Sequence, residues 1–180
     1  DYILVGSLRF YFSLLAAKTA YRALQLTRLS AGTSIIGRYV LKLCPDFLKQ
    51  CNPYISTKIN VTGTNGKTTT SGLITHLIKE SGKSVINNSM GANMLTGVVN
   101  AVAVSLNPCE QTDFSVIESD EAYLAKIYDQ FEADYLIVTN LFRDQLDRYG
   151  ELATTKRLIQ EGINKKRELK LLLNADDPLV

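Results

Sequence analysis

"NVTGTNGKTTT", residues 60–70, is the stretch on which the reading of this chain turns. A β-branched run leads into Gly63 and Gly66, which bracket Thr64 and Asn65, and then into a lysine and three threonines. The glycines permit backbone conformations that a side chain resists, so successive N–H groups can curl around an anion. A helix beginning near Lys67 points the positive end of its dipole at the same place. Lys67 adds a full charge, which at about 4 Å from a phosphate and an effective dielectric near 20 gains on the order of 4 kcal/mol. The Thr68 hydroxyl is placed to ligate Mg²⁺ and that of Thr69 to bond a phosphate. Gly63, Thr64, Asn65, Gly66, Lys67, Thr68 and Thr69 are therefore the expected nucleotide-binding loop. The spacing departs from G-x-x-x-x-G-K-[ST], because Val61 stands where the first glycine belongs. The alternative is an ordinary turn capped by polar residues; a strand before it and a helix after it speak against that.

Outward from the loop, strand-like and helix-like segments alternate. Strands are predicted at 58–61, 84–87, 114–118, 135–139 and 169–174, and helices at 67–81, 93–106, 121–131 and 151–166. Short apolar runs separated by helices predict an α/β fold, a three-layer domain of P-loop type with a mainly parallel sheet. Ligands of such sheets bind at the carboxyl ends of the strands. The loops there are "TGTNGKT", "NSMGANM", "ESDE", "TNLFRDQLDRYGE" and "NADDP", which hold most of the polar, non-repetitive residues of the second half. Glu118 ends an apolar strand and is the hard oxygen ligand that Mg²⁺ needs opposite Thr68. Lys67 and Glu118 are the expected catalytic residues, and Thr68 and Glu118 the expected metal ligands. Asp120 and Glu121 are weaker candidates, since acids also favour the start of a helix.

The 180 residues suffice for one domain with a substantial core. A net charge of +2 is too small to argue for a nucleic-acid partner. Cys44, Cys51 and Cys109 form an odd set without C-x-x-C spacing, which opposes a disulfide framework or zinc site among them and suits a reducing cytosol. His76 is the only histidine, so a scheme needing two is excluded; it reads as a structural or surface residue. From Tyr2 to Pro45 there is no acid, but there are Arg9, Lys18, Arg22, Arg28, Arg38 and Lys42. The apolar, helix-compatible stretch at 3–26 is interrupted by Arg9 and Lys18 well short of the ~20 apolar residues a spanning helix needs, and it lacks a secretory cleavage site. Two readings stand: a helix packed on the domain with a solvated basic rim, which is favoured, or a basic amphipathic helix lying on an anionic membrane surface. "SAGTS" and "CPDFLKQCNPY" read as a loop-rich link. The expected division is thus a basic helical segment and link at 1–55 and a nucleotide-binding domain at 56–180.

"GTNGKTTT" resembles the ATP loop of the Mur ligase superfamily, which joins carboxylates to amines through an acyl phosphate. "NLFRDQLDRYGE" is similar to that superfamily's N-x-x-x-D-H-x-D-R, with Asn140, Asp144, Asp147 and Arg148 in place and Gln145 where histidine is usual. "NADDP" resembles its adenine- and ribose-binding segment, which implies that Asn140, Asn174 and Asp176 contact ATP. With "GTS" (32–34) and "GANMLTG" (91–97), the likeness runs in order along nearly the whole chain. It is nearest to the branch that amidates the D-glutamate α-carboxyl of lipid II to D-isoglutamine, with ammonia from a GatD-type glutaminase partner. That implies a cytoplasmic protein at the inner face of the membrane, using ATP and one Mg²⁺, since a neutral amide at 145 is a poor second-metal ligand. It also implies a four-cysteine Zn²⁺ ribbon and a C-terminal domain beyond residue 180. This stretch alone would then bind ATP weakly and amidate nothing. Lys156 lies near the position of a carbamylated lysine in relatives, without matching spacing, and reads as a solvated helix residue. Another Mur-type ligase that adds an amino acid, or a non-catalytic nucleotide-binding module, is the alternative.

Overall fold

The computed structural model describes residues 6–26, 33–88, 92–141, 150–166 and 168–180. Strand β1 (Ile55–Thr62) leads through the glycine loop into helix α4 (Lys67–Glu80), and β2 (Val85–Asn87) into α5 (Leu95–Ser105). Next come β3 (Thr112–Glu118), α6 (Glu121–Tyr128), β4 (Tyr135–Val138), α7 (Gly150–Ile163) and β5 (Lys170–Leu173). Three helices precede them: α1 (Leu8–Leu26), α2 (Thr33–Leu43) and α3 (Phe47–Cys51), the last running into a 3₁₀ turn at Asn52–Tyr54. Every strand and helix predicted from Thr57 onward is present, with ends displaced by at most a few residues.

The sheet has the order β2-β3-β1-β4-β5, and every pairing is parallel. This is the α/β class that the alternating pattern predicts. Between β1 and β3 the chain turns both ways. From β1 it leaves through α4 to β2 at one edge; from β3 it leaves through α6 to β4 on the far side of β1. Connections diverging from adjacent strands open a crevice at their carboxyl ends. Register sets what faces that crevice: Val61 pairs with Glu118 on one side and Ile137 on the other, so the strand ends lie level.

The link is not loop-rich. "CPDFLKQCNPY" forms α3 and the 3₁₀ turn, and Thr33 and Ser34 open α2, while residues 30–32 of "SAGTS" lie outside the described residues. Proline at 45 and 53 suggested irregular chain, but Pro45 precedes α3 and Pro53 lies in the first positions of the 3₁₀ turn, where a missing N–H costs no helical bond. Ile36, Val40, Phe47, Leu48 and Cys51 are buried from this region. They join one apolar core with Phe10 and Leu14 of α1, Ile86 of β2, Val98, Val99 and Val102 of α5, and Ile117 of β3. Phe10 stacks on Tyr54 at 5.7 Å between ring centroids and meets Phe47 at 5.3 Å.

Helix α1 is therefore packed on the domain, as the favoured reading expects. Its outer side is more apolar than a solvated basic rim, however: Leu8, Phe12, Leu15 and Leu26 are exposed on the stripe that also carries Arg22. Apolar residues on both sides of a helix cancel each other's periodicity, which is why the stretch reads as helix without a clear inner face. No helix among the described residues is long and apolar enough to cross a membrane.

Burial separates the three thiols. Cys44 and Cys51 are enclosed, and burial pushes the Cys44 thiol up to about 11 and raises that of Cys51 as well; Cys109 is exposed. Reactivity follows thiolate fraction and access. Titration with a disulfide reagent at pH 8 should therefore modify Cys109 within minutes in the folded chain, and Cys44 and Cys51 only after denaturation.

Candidate functional site

Gly63 leaves β1 at φ +123°, and Gly66 enters α4 at φ +80°, so the loop needs both glycines where the sequence has them. At Gly63 space is a second constraint. A Cβ there would lie 2.3 Å from the Thr139 hydroxyl and 2.8 Å from the Asn140 carbonyl, since the loop crosses directly over the end of β4. At Gly66 a Cβ would meet nothing within 4 Å, so that side of the loop is open.

Two residues after β4 hold the loop in place. The Asn140 side chain accepts from Asn65 N at 3.0 Å and donates to Asn65 O at 3.0 Å, while its carbonyl accepts from Thr64 N at 2.9 Å. The Thr139 hydroxyl donates to Asn65 O at 2.8 Å. Thr64 N and Asn65 N thus face β4. The donors directed at an anion are the first-turn amides of α4, from Lys67 to Thr69, which have no partner within a helix; the next amide, Thr70 N, already bonds to Gly66 O at 2.9 Å.

The Lys67 ammonium lies inside the loop, donating to the carbonyls of Gly63 and of Thr64 (3.2 Å), with the Glu121 carboxylate 3.5 Å away. Thr68, one residue on, turns towards β3 and donates its hydroxyl to Glu118 Oε2 at 2.8 Å. Glu118 is 3% exposed, so its carboxylate is enclosed with this hydroxyl as a neighbour. A buried carboxylate and a threonine hydroxyl in contact, beside a lysine and free helical amides, is a hard-oxygen donor set that fits a Mg²⁺–phosphate group.

The structure brings together Gly63, Thr64, Asn65, Gly66, Lys67, Thr68, Asn140 and Glu118, and Thr69 is exposed on the same helical turn. Asn174 is also near: its side chain donates to Thr139 O at 2.9 Å and accepts from Asp176 N at 3.1 Å. Asp176 itself is exposed. Glu121 joins the site through Lys67, whereas Asp120 caps α6 by accepting from Ala122 N. His76 and Lys156 lie exposed on helices. Ser89–Gly91 of "NSMGANM" and residues 142–149, with Asp144, Gln145, Asp147 and Arg148, lie outside the described residues.

Besides Thr139, two supporting residues were not singled out in the sequence. Asp177 accepts from Leu141 N at 2.7 Å and from Leu179 N at 2.9 Å, and these bonds hold its carboxyl below the usual range. Asn88, 2% exposed, accepts from Glu118 N at 2.7 Å and donates to Glu118 O at 2.7 Å. No signal in the sequence marks Asn88, because where β2 stops relative to β3 emerges only from their pairing. A cavity of about 390 Å³ lies elsewhere, between α7 and strands β4 and β5, and its lining includes none of the loop residues.

The middle-domain model of the Mur ligases matches residues 61–180, the whole span from the loop onward. The chain belongs to the Mur ligase family. Within the family it is similar to lipid II isoglutaminyl synthase (glutamine-hydrolyzing) subunit MurT of Staphylococcus aureus, at 39% identity over 83% of this chain and 33% of that one. Similarity to MurT of Streptococcus pneumoniae is 35% over 96% of this chain and 38% of that one. The chain thus spans about a third of the length of the MurT relatives it matches. The fold is that of Thermotoga maritima MurF, solved in complex with ADP, at a TM-score of 0.57 and 20% identity over 81% of this chain and 32% of that one.

Gly63→Ala tests the loop directly. The added methyl strikes both Thr139 and Asn140 at a φ unfavourable to alanine, so nucleotide affinity, measured by calorimetry on the full-length protein, should fall more than tenfold.

Proposed function

We propose that the full protein is an ATP-dependent carbon–nitrogen ligase of peptidoglycan synthesis that amidates lipid II. The observation that supports this most is the Thr68–Glu118 contact at 2.8 Å beside Lys67, in a chain that resembles MurT along most of its length. Residues 56–180 serve as the ATP-binding unit, and within residues 1–55 the helices α1, α2 and α3 pack on it. A zinc ribbon and a C-terminal domain follow in the full protein, and a GatD-type glutaminase docks there.

The residues divide the work as follows. The first-turn amides of α4 and the Lys67 ammonium hold the β- and γ-phosphates. To reach them, the ammonium exchanges its loop carbonyls and Glu121 for phosphate oxygens. Thr68 and Glu118 would supply oxygen ligands to Mg²⁺, which when bound would neutralise charge on the transferring phosphoryl group. Asn140 and Thr139 keep the loop backbone fixed during transfer, and Asn174 steadies Thr139 from behind. Asn174 and Asp176 lie on the side assigned to the nucleoside. The α-carboxylate of the D-glutamate residue takes the γ-phosphoryl group, with ADP as the leaving group. Ammonia from the glutaminase then attacks the acyl carbon, expels phosphate and leaves the amide of D-isoglutamine. With glutamine at 145, one Mg²⁺ suffices for this reading.

A lipid-linked substrate places the protein on the cytoplasmic face of the membrane. The exposed Leu8, Phe12, Leu15 and Leu26 of α1, together with Arg9 and Arg22 and with no acid between Tyr2 and Pro45, suit an anionic lipid surface. Full-length protein should co-sediment with vesicles containing anionic lipid, and Phe12→Ser with Leu15→Ser should reduce the bound fraction severalfold. Equal sedimentation of wild type with neutral and anionic vesicles would remove this contact.

The ligase reading is tested with the full-length protein, its glutaminase partner, glutamine, ATP and lipid II. Lys67→Ala should lower isoglutamine formation by about 10²–10³, the loss typical of one preorganised charge-stabilising donor. Glu118→Ala should do likewise and flatten the Mg²⁺ dependence. Wild-type complex that consumes ATP with a free amino acid, and not with ammonia, would replace amidation by amino-acid addition.

A further inference from the structure

The acid Glu118 stands two residues past the end of its ladder with β2. The last β2–β3 pair is Asn87 with Val116, and β2 ends there. On its other side Glu118 is in register with Val61 of β1. Without a further partner, the outer edge of its backbone would be an unsatisfied N–H and C=O in a buried place, which proteins avoid.

The Asn88 side chain fills that position. Its carboxamide takes the Glu118 N–H and gives an N–H to the Glu118 carbonyl, both at 2.7 Å, replacing the two bonds that a continuing neighbour strand would make. Its second N–H goes to Ala92 O at 2.9 Å. The chain beyond is strapped to the same place, because Asp120 N bonds to Asn93 O at 3.0 Å. Only a side chain with a donor and an acceptor on one short planar group can do this. Aspartate would set an acceptor against the carbonyls of Glu118 and Ala92, and glutamine is a methylene too long.

Resting on the Mg²⁺–nucleotide reading above, we infer that Asn88 is a positioning residue that fixes Glu118 for metal binding by clamping its backbone. The carboxylate is carried by the Glu118 backbone, so a displacement of that backbone passes to the oxygen that meets Thr68. Metal sites tolerate only about 0.2 Å in ligand distance. The clamp acts on the metal and not on the phosphate cradle, because Asn140 holds the loop from the opposite side of β1.

The test uses full-length protein and a fluorescent ATP analogue, titrated once in EDTA and once at fixed analogue with rising Mg²⁺. In Asn88→Asp the Mg²⁺ concentration at half-effect should rise at least tenfold, while affinity in EDTA stays within twofold of wild type. Asn88→Ser introduces no buried charge and should move the same ratio in the same direction. A folded variant of either kind with a wild-type Mg²⁺ half-effect overturns the inference. So does a parallel loss of affinity in EDTA, which marks general damage to the fold. Wild type whose binding ignores Mg²⁺ sinks the underlying reading, and this inference with it.

Discussion

The contact between the Thr68 hydroxyl and the Glu118 carboxylate is the interaction on which the site depends, and it exists because β1 and β3 are neighbours. The strand that delivers the glycine loop and the strand that delivers the acid run parallel, side by side, with Val61 opposite Glu118. From that register the first turn of α4 has one direction in which to present a threonine. Had β2 lain beside β1, the acid would stand a strand's width further away, about 4.8 Å, beyond hydrogen-bond reach of the loop.

Around this pair the fold uses asparagine amides in place of strand backbone. Beyond β4, Asn140 pairs with Asn65; beyond β2, Asn88 pairs with Glu118. Each carboxamide extends the hydrogen bonding past the end of a short strand, where the main chain must already turn away. Loops built this way keep defined geometry without burying unsatisfied peptide groups. Such preorganisation is what the proposed phosphoryl transfer would need, since that chemistry offers little covalent work for side chains.

Much of the fold was legible before any coordinates. Apolar runs such as "FSVIE" and "YLIVT" are short, bounded by turns and separated by helical periodicity, which only a parallel sheet accommodates. The convergence of Lys67, Thr68 and Glu118 was legible because each stands next to the end of a strand in a parallel sheet. Asn88 and Thr139 were not: their roles come from where strands stop relative to one another, and that is a property of pairing across the chain. The helical character of residues 33–54 was hidden by Pro45 and Pro53, and its burial by the small residues through which α2 meets α5. A Cβ at Gly37 would lie 1.8 Å from Thr96 O, so a glycine that reads as a helix breaker is there the point of closest approach.

A crystal structure of the full-length protein with a non-hydrolysable ATP analogue and Mg²⁺ tests the central claim most directly. The account predicts the triphosphate over the first turn of α4 and a metal about 2.0–2.1 Å from Thr68 Oγ1, coordinated by Glu118 directly or through one water. A triphosphate bound elsewhere, or a metal held without either residue, would contradict it.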